Sequence, residues 1–400
     1  MSERRLVTED LLLPIEALRR RRGAKWRRYG PDVLPAWLAD MDYAVAEPVR
    51  RAMARLVEDG DYGYPHRVGA DNVQAAFAER MAQRFGWRPD PELVVPVADL
   101  VQALLAAVAA QSEPGDGVLV HTPIYPPFLE AIGRTGRRPV FHPLRDDGRR
   151  LDTDPEGLAA AVDAGTRMLL LCNPHNPSGR VLDRSELEAV ARVAVERDLV
   201  VVADEVHCDM VYPGHVHVPL ATLGDDVAER TITLNSATKS FNIPGLRCGV
   251  MHFGSAALLR RFRAAFPERM LGTVGAPGVD ATVAAWREGQ PWLDAVMALL
   301  AANRDRVAAW AAAHAPPVRH HPPEATYLAW LDCGGLPLAA AVTPQRFFLE
   351  EARVALNGGP EFGPGGDDGV RLTFATSPAI LDELLERMSD AIRRSSGSVR

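Results

Sequence analysis

The chain has 400 residues, with 45 lysines and arginines against 52 aspartates and glutamates, and its formal net charge of −7 argues against a nucleic-acid-binding protein. Its length suggests two or three domains, and its apolar content of 47% is that of an ordinary globular protein. Because we find no membrane-spanning stretch, no signal-peptide pattern and only four scattered cysteines, we predict a cytoplasmic protein with free thiols.

The first two predicted units differ in their patterns. Residues 1–49 are rich in arginine and irregular after one predicted helix, and we interpret them as an N-terminal arm that contributes to a small domain. Over residues 50–278, short apolar runs alternate with amphipathic helical segments such as 186–197. Most of these runs lack polar alternation, which is typical of strands covered on both faces. They are 118–120, 168–171, 199–203, 231–234 and 250–253. This alternation predicts a large α/β domain with a mostly parallel sheet between helical layers.

Residues 279–400 predict a smaller α+β C-terminal domain. An alanine-rich helical stretch runs to about residue 314 and is broken near 289–291. The elements expected after it are a strand at 326–331, a helix at 344–351, a glycine-rich loop at 358–369, a strand at 370–375 and a closing helix from residue 378.

Lysine is rare in this chain, since only Lys25 and Lys239 are lysines and every other basic residue is arginine. Arginine cannot lose its proton or act as an amine nucleophile, so both lysines are candidates for chemistry. Lys239 follows an apolar strand and lies among small residues in Ser-Ala-Thr-Lys-Ser. An amine that forms a Schiff base needs such a partly shielded place, where its pKa falls.

Two polar motifs also follow predicted strands. Asp204 ends the run 199–203 within Asp-Glu-Val-His, and a buried carboxylate there needs a cation such as a protonated pyridine nitrogen. A helix N-cap is an equally good interpretation of this residue taken alone. The turn 173–180 follows the run 168–171, and Asn176 within it could donate to a phenolate oxygen. The carboxyl ends of parallel strands are where open α/β sheets bind ligands.

The order of these motifs, with Arg247 eight residues beyond Lys239, resembles the fold-type I pyridoxal-phosphate enzymes of the class I/II aminotransferase superfamily. Other segments resemble the MalY–PatB branch of cystathionine β-lyases, which are cysteine-S-conjugate β-lyases. These segments are Lys-Trp at 25–26, Trp-Leu-Ala-Asp-Met-Asp-Tyr at 37–43, Tyr-Gly-Tyr-Pro at 62–65, Pro-Ile-Tyr-Pro-Pro-Phe at 123–128, Asp-Glu-Val-His-Cys-Asp at 204–209 and Glu-Ala-Thr-Tyr-Leu-Ala-Trp-Leu-Asp at 324–332. The resemblance covers about residues 24–378 and implies the fold-type I fold.

The resemblance implies pyridoxal 5'-phosphate as cofactor and gives five residues a role at its ring. Lys239 would form the Schiff base with the cofactor and later move the Cα proton of the substrate. Asp204 would pair with the pyridinium nitrogen, and Asn176 would hydrogen-bond the ring 3-oxygen. Tyr125 would stack on the ring, and His207 occupies a position where many relatives have a tyrosine that serves the 3-oxygen.

The phosphate of the cofactor would be bound by a second set of residues. Ser236 and Arg247 would contact it as a hydroxyl donor and a fork of charged donors. The phosphate-cradling Gly-Val-Val turn of the family is replaced here by Ala-Asp-Leu at 98–100, so Asp99 and Leu100 would provide backbone contacts. Tyr64 matches a tyrosine that reaches the phosphate of the neighbouring subunit, which implies a homodimer with shared sites.

The remaining implied roles concern an amino-acid substrate. Arg371 would clamp its α-carboxylate, and Tyr43 would lie near the substrate entrance. We predict no metal, because the histidines near His207 match no common ligand spacing. The function favoured is a carbon–sulfur β-lyase, and an aminotransferase on the same scaffold remains open because both reactions use the same lysine and aspartate. A cofactor-binding regulatory protein without turnover is the third possibility.

Overall fold

The structure, a computed structural model, describes residues 8–267, 270–314, 317–339 and 341–397. The first seven residues of the predicted arm and the last three of the predicted C-terminal domain lie outside the described residues. The strands are β1 (Leu34–Pro35), β2 (Val94–Val97), β3 (Gly117–Thr122), β4 (Arg138–Pro143), β5 (Arg145–Asp146), β6 (Leu151–Asp152), β7 (Thr166–Cys172), β8 (Val200–Asp204), β9 (Thr231–Asn235), β10 (Gly249–Phe253), β11 (Arg319–His320), β12 (Leu328–Asp332), β13 (Val354–Ala355), β14 (Asn357–Gly358) and β15 (Gly369–Thr373).

The helices alternate with these strands over most of the described chain. They are α1 (Ile15–Arg20), α2 (Ala24–Arg27), α3 (Glu47–Asp59), α4 (Val73–Phe85), α5 (Leu100–Gln111), α6 (Pro126–Arg134), α7 (Pro155–Ala161), α8 (Arg184–Glu196), α9 (Asp225–Ala228), α10 (Ala237–Ser240), α11 (Ala256–Ala265), α12 (Ala276–Glu288), α13 (Gln290–Ala313), α14 (Pro344–Glu351) and α15 (Pro378–Gly397). None of those described is both long enough and apolar enough to cross a membrane.

The central sheet has seven strands in the order β2-β10-β9-β8-β7-β3-β4. Strand β10 is antiparallel to its neighbours β2 and β9, and every other neighbouring pair is parallel. The predicted α/β fold with a mostly parallel sheet is therefore confirmed. The direction of β10 was not predictable from its sequence, because an apolar run reads the same in either direction.

Helices cover both faces of this sheet, which is why its strands are apolar throughout. On one face, Leu104 of α5, Phe128 of α6 and Phe262 of α11 pack in one buried cluster. On the other, Leu187 of α8 packs in a second cluster with residues of β7 and β8. Helix α8 begins with a capping box in which the side chains of Asp183 and Glu186 each accept from the other's backbone N–H, stabilising the helix start.

A second, antiparallel sheet has the order β11-β12-β15-β14 and lies in the C-terminal third of the chain. The N-terminal arm contacts the same third of the chain through a separate two-stranded sheet, in which β1 pairs in parallel with β13 at Leu34 with Val354 and Pro35 with Ala355. The two sheets lie in the ranges predicted for the large and small domains, and the division into domains stays a prediction.

All four cysteines are free and buried in the structure. Burial raises the pKa of each thiol, and for Cys248 it does so to about 11. The predicted absence of disulfides fits this arrangement, since each thiol is enclosed as an apolar group.

Acidification is expected to destabilise the fold, because several histidines are buried in neutral form. Mainly through burial, the pKa of His121, His175 and His207 is lowered to about 3, whereas an unfolded histidine titrates near about 6.5. Between these values the unfolded state binds more protons. Stability therefore falls as the pH drops below about 6.5, by about 1.4 kcal/mol per pH unit for each such histidine. Asp204, whose pKa is raised by burial to about 6, opposes this trend as a single group.

Thermal unfolding followed from pH 7 down to about pH 5.5 measures this effect. The variant His175→Gln should show a shallower decline than the wild type, and the exposed His66→Gln provides the matched control. A melting temperature that is constant or rises on acidification would contradict the expectation.

Candidate active site

Five of the predicted site residues lie at one edge of the central sheet. The neighbouring parallel strands β7, β8 and β9 all end at this edge. Asn176 lies in the loop after β7, and Asp204 is the last residue of β8. Ser236 and Lys239 follow β9, and Tyr125 follows β3. Motifs that are far apart in the chain are thus brought together, because the carboxyl ends of parallel strands share one edge.

Lys239 is the third residue of the short helix α10, whose start is capped by Ser236. Its Nζ donates a hydrogen bond to the carbonyl oxygen of Ala39, 3.3 Å away. Burial lowers the pKa of Lys239, and the nearby positive charge of Arg371 lowers it further, while Asp40 and other carboxylates act in the opposite direction. A larger share of this amine is therefore neutral than in a surface lysine, as a nucleophile or proton acceptor requires.

Asp204 presents a partly buried carboxylate beside Lys239. Its Oδ1 accepts a hydrogen bond from Val206 N at 3.1 Å, and burial raises its pKa to about 6. The positive charge of Lys239 acts in the opposite direction and lowers this pKa. A carboxylate in such a place is stabilised by a cationic partner, and the protonated ring nitrogen expected of the cofactor is a partner of that kind.

Arg371, on the small sheet, and Asn176 are joined by a hydrogen bond. Arg371 Nη1 donates to Asn176 Oδ1 at 2.9 Å, and Nη2 donates to Asn357 Oδ1 at 2.5 Å and to the carbonyl oxygen of Trp37 at 3.3 Å. Arg371 is 3% exposed, burial lowers the pKa of its guanidinium to about 10, and Nε has no hydrogen-bond partner among the described residues. A buried, still charged guanidinium with a donor to spare suits a carboxylate ligand. Because Asn176 Oδ1 is used, its amide NH₂ is left to donate elsewhere.

A cavity of about 230 Å³ opens beside Lys239 and contains the predicted phosphate-binding residues. Ser236 Oγ donates to the carbonyl oxygen of Cys248 at 2.6 Å and accepts from Thr238 N at 3.0 Å. The residues predicted to bind the cofactor that line this cavity are Asp99, Leu100, Tyr125, Asp204, Ser236, Lys239 and Arg247.

The phosphate end of this cavity contains an ion pair. Asp99 is the N-cap of helix α5, with Oδ1 accepting from Gln102 N at 3.0 Å, and its Oδ2 lies 2.9 Å from Arg247 Nη1. Arg247 has a left-handed backbone with φ of 55°, and its side chain is largely exposed. The replacement of the Gly-Val-Val turn by Ala-Asp-Leu thus places the carboxylate of Asp99 directly on Arg247, the predicted phosphate anchor.

The N-terminal arm forms one wall of the site, which the side-chain pattern did not indicate. The carbonyl oxygen of Ala39 accepts from both Lys239 Nζ and the hydroxyl of Tyr327, the latter at 3.2 Å. Asn242 fixes the same segment, since its side-chain oxygen accepts from Met41 N at 2.8 Å and its NH₂ donates to Met41 O at 2.9 Å. Backbone carbonyls act here, and any residue type provides one, so the sequence carries no signal for them.

Lys25 anchors this arm from behind. Its Nζ lies 2.7 Å from Asp42 Oδ2 and donates to the carbonyl oxygen of Asp40 at 2.8 Å. The other carboxylate oxygen of Asp42 accepts from Trp26 Nε1 at 2.7 Å. Both members of the ion pair are at most 2% exposed. Lys25, the other lysine of the chain, is therefore a buried structural cation.

Two of the predicted site tyrosines, Tyr43 and Tyr64, do not line the cavity beside Lys239. Tyr43, expected near the substrate entrance, is 1% exposed, and its hydroxyl donates to the carbonyl oxygen of Thr376 at 3.0 Å. This corrects the expectation for Tyr43. Its aromatic ring packs the arm onto the hydrophobic core, and its hydroxyl, the one polar group of the side chain, has a hydrogen-bond partner there. Tyr64 is 97% exposed and lies outside the cavity of its own chain.

His207 is buried near the site, with its ring centroid 6.1 Å from that of Tyr327. Burial, with the positive charges of Lys239 and Arg371, lowers its pKa to about 3, so the ring is neutral. Its Nδ1 has no hydrogen-bond partner among the described residues. Its predicted role at the ring oxygen stays a prediction.

Val206 and Thr238 also line the cavity and were missed in the sequence. Val206 lies two residues after Asp204, and Thr238 directly precedes Lys239. Only their positions relative to Asp204 and Lys239 could have indicated them, because valine and threonine are too common to stand out by residue type.

Comparisons with known proteins identify relatives in sequence and in fold. The family model described as aminotransferase class I and II matches residues 39–388. The chain is 34% identical over 374 residues to cystathionine β-lyase PatB of Bacillus subtilis, covering 92% of this chain and 96% of PatB. It is 34% identical over 379 residues to a cystathionine β-lyase of Corynebacterium glutamicum, covering 94% and 99% of the two chains. The crystal structure of the pyridoxal-phosphate-bound C–S lyase from Staphylococcus hominis superposes with a TM-score of 0.88 at 26% identity, covering 96% of this chain and 98% of that one.

Proposed function

Since the chain belongs to the class I and II aminotransferase family, we propose that it is a pyridoxal-phosphate-dependent carbon–sulfur β-lyase. Its substrate would be a cysteine S-conjugate or a cystathionine-like thioether, which is cleaved with water to a thiol, pyruvate and ammonia. The observation that carries this proposal is that Arg371, on β15 of the small sheet, comes near Lys239 and Asp204 at the edge of the central sheet. These groups are suited to moving a Cα proton, keeping a ring nitrogen protonated and binding an α-carboxylate.

The residues around the cavity fit the cofactor in their chemistry. Pyridoxal phosphate, when bound, supplies an electron-accepting ring that stabilises negative charge at Cα of the substrate. Asp204 would hold the ring nitrogen protonated, because a desolvated carboxylate is stabilised by a cationic partner. Asn176 would donate to the 3-oxygen with the amide end that Arg371 leaves available. Ser236 and Arg247 would bind the phosphate at the other end of the cavity.

Lys239 would hold the cofactor and then act on the substrate as a general base. Its partly buried amine has a lowered pKa, which makes it a better acceptor for the Cα proton than a surface lysine. The hydrogen bond to Ala39 O fixes the position of Nζ relative to the arm. Arg371 would hold the α-carboxylate and so orient the Cα–H bond toward this amine.

The test of this function is a product assay with the purified holoenzyme. Cystathionine and a second cysteine S-conjugate should each yield thiol and pyruvate in equal amounts without an added keto acid. A new amino acid that forms only when a keto acid is added, with no thiol released, would favour the aminotransferase instead. A holoprotein that turns over neither substrate type would favour a regulatory role.

We also infer a homodimer with shared sites, which the exposed surface around Tyr64 supports. Tyr62, Tyr64, Val68 and Met270 are all more than half exposed, an unusual amount of exposed apolar surface for one region of a monomer. Pro65 and Val68 line a neighbouring groove of about 440 Å³. In the inferred dimer, Tyr64 would extend from this surface into the phosphate site of a second copy.

Complementation tests the sharing of sites. Tyr64→Ala and Lys239→Ala are each expected to abolish most activity. Their co-expression should restore about a quarter of wild-type activity, because half of the dimers are hybrids with one intact site each. Failure to restore activity while sedimentation shows mixed dimers would contradict shared sites, and a monomer in sedimentation would contradict the dimer itself.

A cytoplasmic location is part of the same proposal. It is supported by the four free and buried thiols, which suit a reducing compartment. Fractionation of the native host, with the chain detected by antibody, tests it directly.

A further inference from the structure

We propose that Asp99 weakens the hold of this chain on the phosphate of its cofactor, so that pyridoxal phosphate binds in exchange with solution. The inference rests on the proposed function only through the identity of the cofactor. It concerns the turn 98–100, where this sequence has Ala-Asp-Leu in place of the Gly-Val-Val of the family it resembles, so that the acidic Asp99 stands at the position of the first valine.

Both oxygens of the Asp99 carboxylate are already engaged at the phosphate end of the cavity. Oδ1 accepts from Gln102 N at 3.0 Å and caps helix α5, while Oδ2 lies 2.9 Å from Arg247 Nη1. A helix N-terminus and an arginine are the two features that attract a phosphate. Asp99 therefore occupies both the N-terminus of α5 and the guanidinium of Arg247, the two groups that would attract the cofactor phosphate.

The formal charges that line the cavity cancel. Its lining contains two acidic residues, Asp99 and Asp204, and two basic residues, Lys239 and Arg247. The Asp99 carboxylate also acts across the cavity, since it is among the charges that oppose the lowering of the Lys239 pKa by burial. An entering phosphate dianion thus meets no net positive charge from these four side chains and has a carboxylate beside its anchor.

Two opposing effects determine whether Asp99 raises or lowers the affinity for pyridoxal phosphate. Asp99 orders the Arg247 side chain in advance, which is worth about a few-fold in affinity for one immobilised side chain. Repulsion between a carboxylate and a phosphate dianion a few ångströms apart in a partly shielded pocket is worth about tenfold or more. The repulsion is the larger effect, so removal of the charge should tighten cofactor binding.

Asp99→Asn is the informative variant, because asparagine is as good an N-cap as aspartate and leaves helix α5 intact. Asp183→Asn is the matched control: Asp183 caps α8 through Glu186 N in the same way, and it lies outside the cavity. Asp99→Ser, a second good cap without charge, replaces Asp99→Asn if that protein fails to fold.

The experiment titrates pyridoxal phosphate into each apoprotein and follows the visible absorbance of the bound cofactor. We expect Asp99→Asn to bind at least about tenfold more tightly than the wild type, and Asp183→Asn to bind like the wild type. Unphosphorylated pyridoxal should bind equally well to the wild type and to Asp99→Asn. Unchanged or weaker binding of pyridoxal phosphate by Asp99→Asn would overturn the inference, as would an equal gain for pyridoxal. A wild type with no lysine-bound absorbance would instead overturn the proposed function.

Discussion

Replacing Lys239 with arginine is expected to abolish lyase activity and the visible absorbance of the lysine-bound cofactor. Arginine keeps the positive charge, but its guanidinium stays protonated, so it can neither attach the cofactor nor accept the Cα proton. Loss of a proton-transferring group alone costs about 10²- to 10⁴-fold in rate, and turnover should fall at least that far. Absorbance spectra and steady-state rates of the purified variant measure the two losses.

The composition of the chain provides a strict control, because Lys25 is the one other lysine. Borohydride reduction should attach the cofactor permanently to a single peptide, and the mass of that peptide distinguishes Lys239 from Lys25. Lys25 is 2% exposed and paired with Asp42, so no label is expected there. A label on Lys25, or an unchanged absorbance band in Lys239→Arg, would contradict the assignment.

Replacing Lys25 with methionine is expected to cost about 3–5 kcal/mol of unfolding free energy, because it leaves the Asp42 carboxylate buried without its cation. The variant also loses the hydrogen bond from Nζ to the carbonyl oxygen of Asp40, next to the residue that contacts Lys239. Activity should therefore fall along with stability. Urea unfolding followed by circular dichroism measures the stability change, and the turnover rate at low temperature measures the effect on the site.

The double variant Lys25→Met, Asp42→Asn separates charge from packing. It removes the unpaired carboxylate and keeps an acceptor for Trp26 Nε1, so most of the lost stability should return. The exposed pair between Glu47 and Arg50 provides the comparison, since Glu47→Gln should cost less than about 1 kcal/mol. A Lys25→Met variant as stable as Glu47→Gln would refute the anchoring role.

The predictable part of the site is the part made of strand ends and side chains. Asp204 and Lys239 follow apolar runs directly, so their places at the carboxyl edge followed from the parallel sheet. The pairing of Asn176 with Arg371 was not predictable, because it depends on how the small sheet packs against the large one. A sequence pattern describes single elements and carries little about their mutual approach.

The N-terminal arm shows the same limit of prediction from sequence more clearly. Its segment 37–43 resembles a family motif that implies a place near the substrate entrance for Tyr43, yet the ring of Tyr43 lies in the core. The contacts to the site come instead from the carbonyl oxygens of Trp37 and Ala39. Lys25 likewise had no role in the sequence, because a buried ion pair is defined by a partner that only the folded chain brings near.

The burial of all four cysteines matters for a protein that would release thiols. A product thiolate attacks disulfides, and an oxidised product forms mixed disulfides with any accessible protein thiolate. Here each cysteine is buried and the pKa of its thiol is raised, so few thiolates are formed that a disulfide in solution could capture. The folded chain is therefore protected from covalent capture by its own product, and it should keep its activity in thiol and disulfide mixtures that inactivate proteins with exposed cysteines.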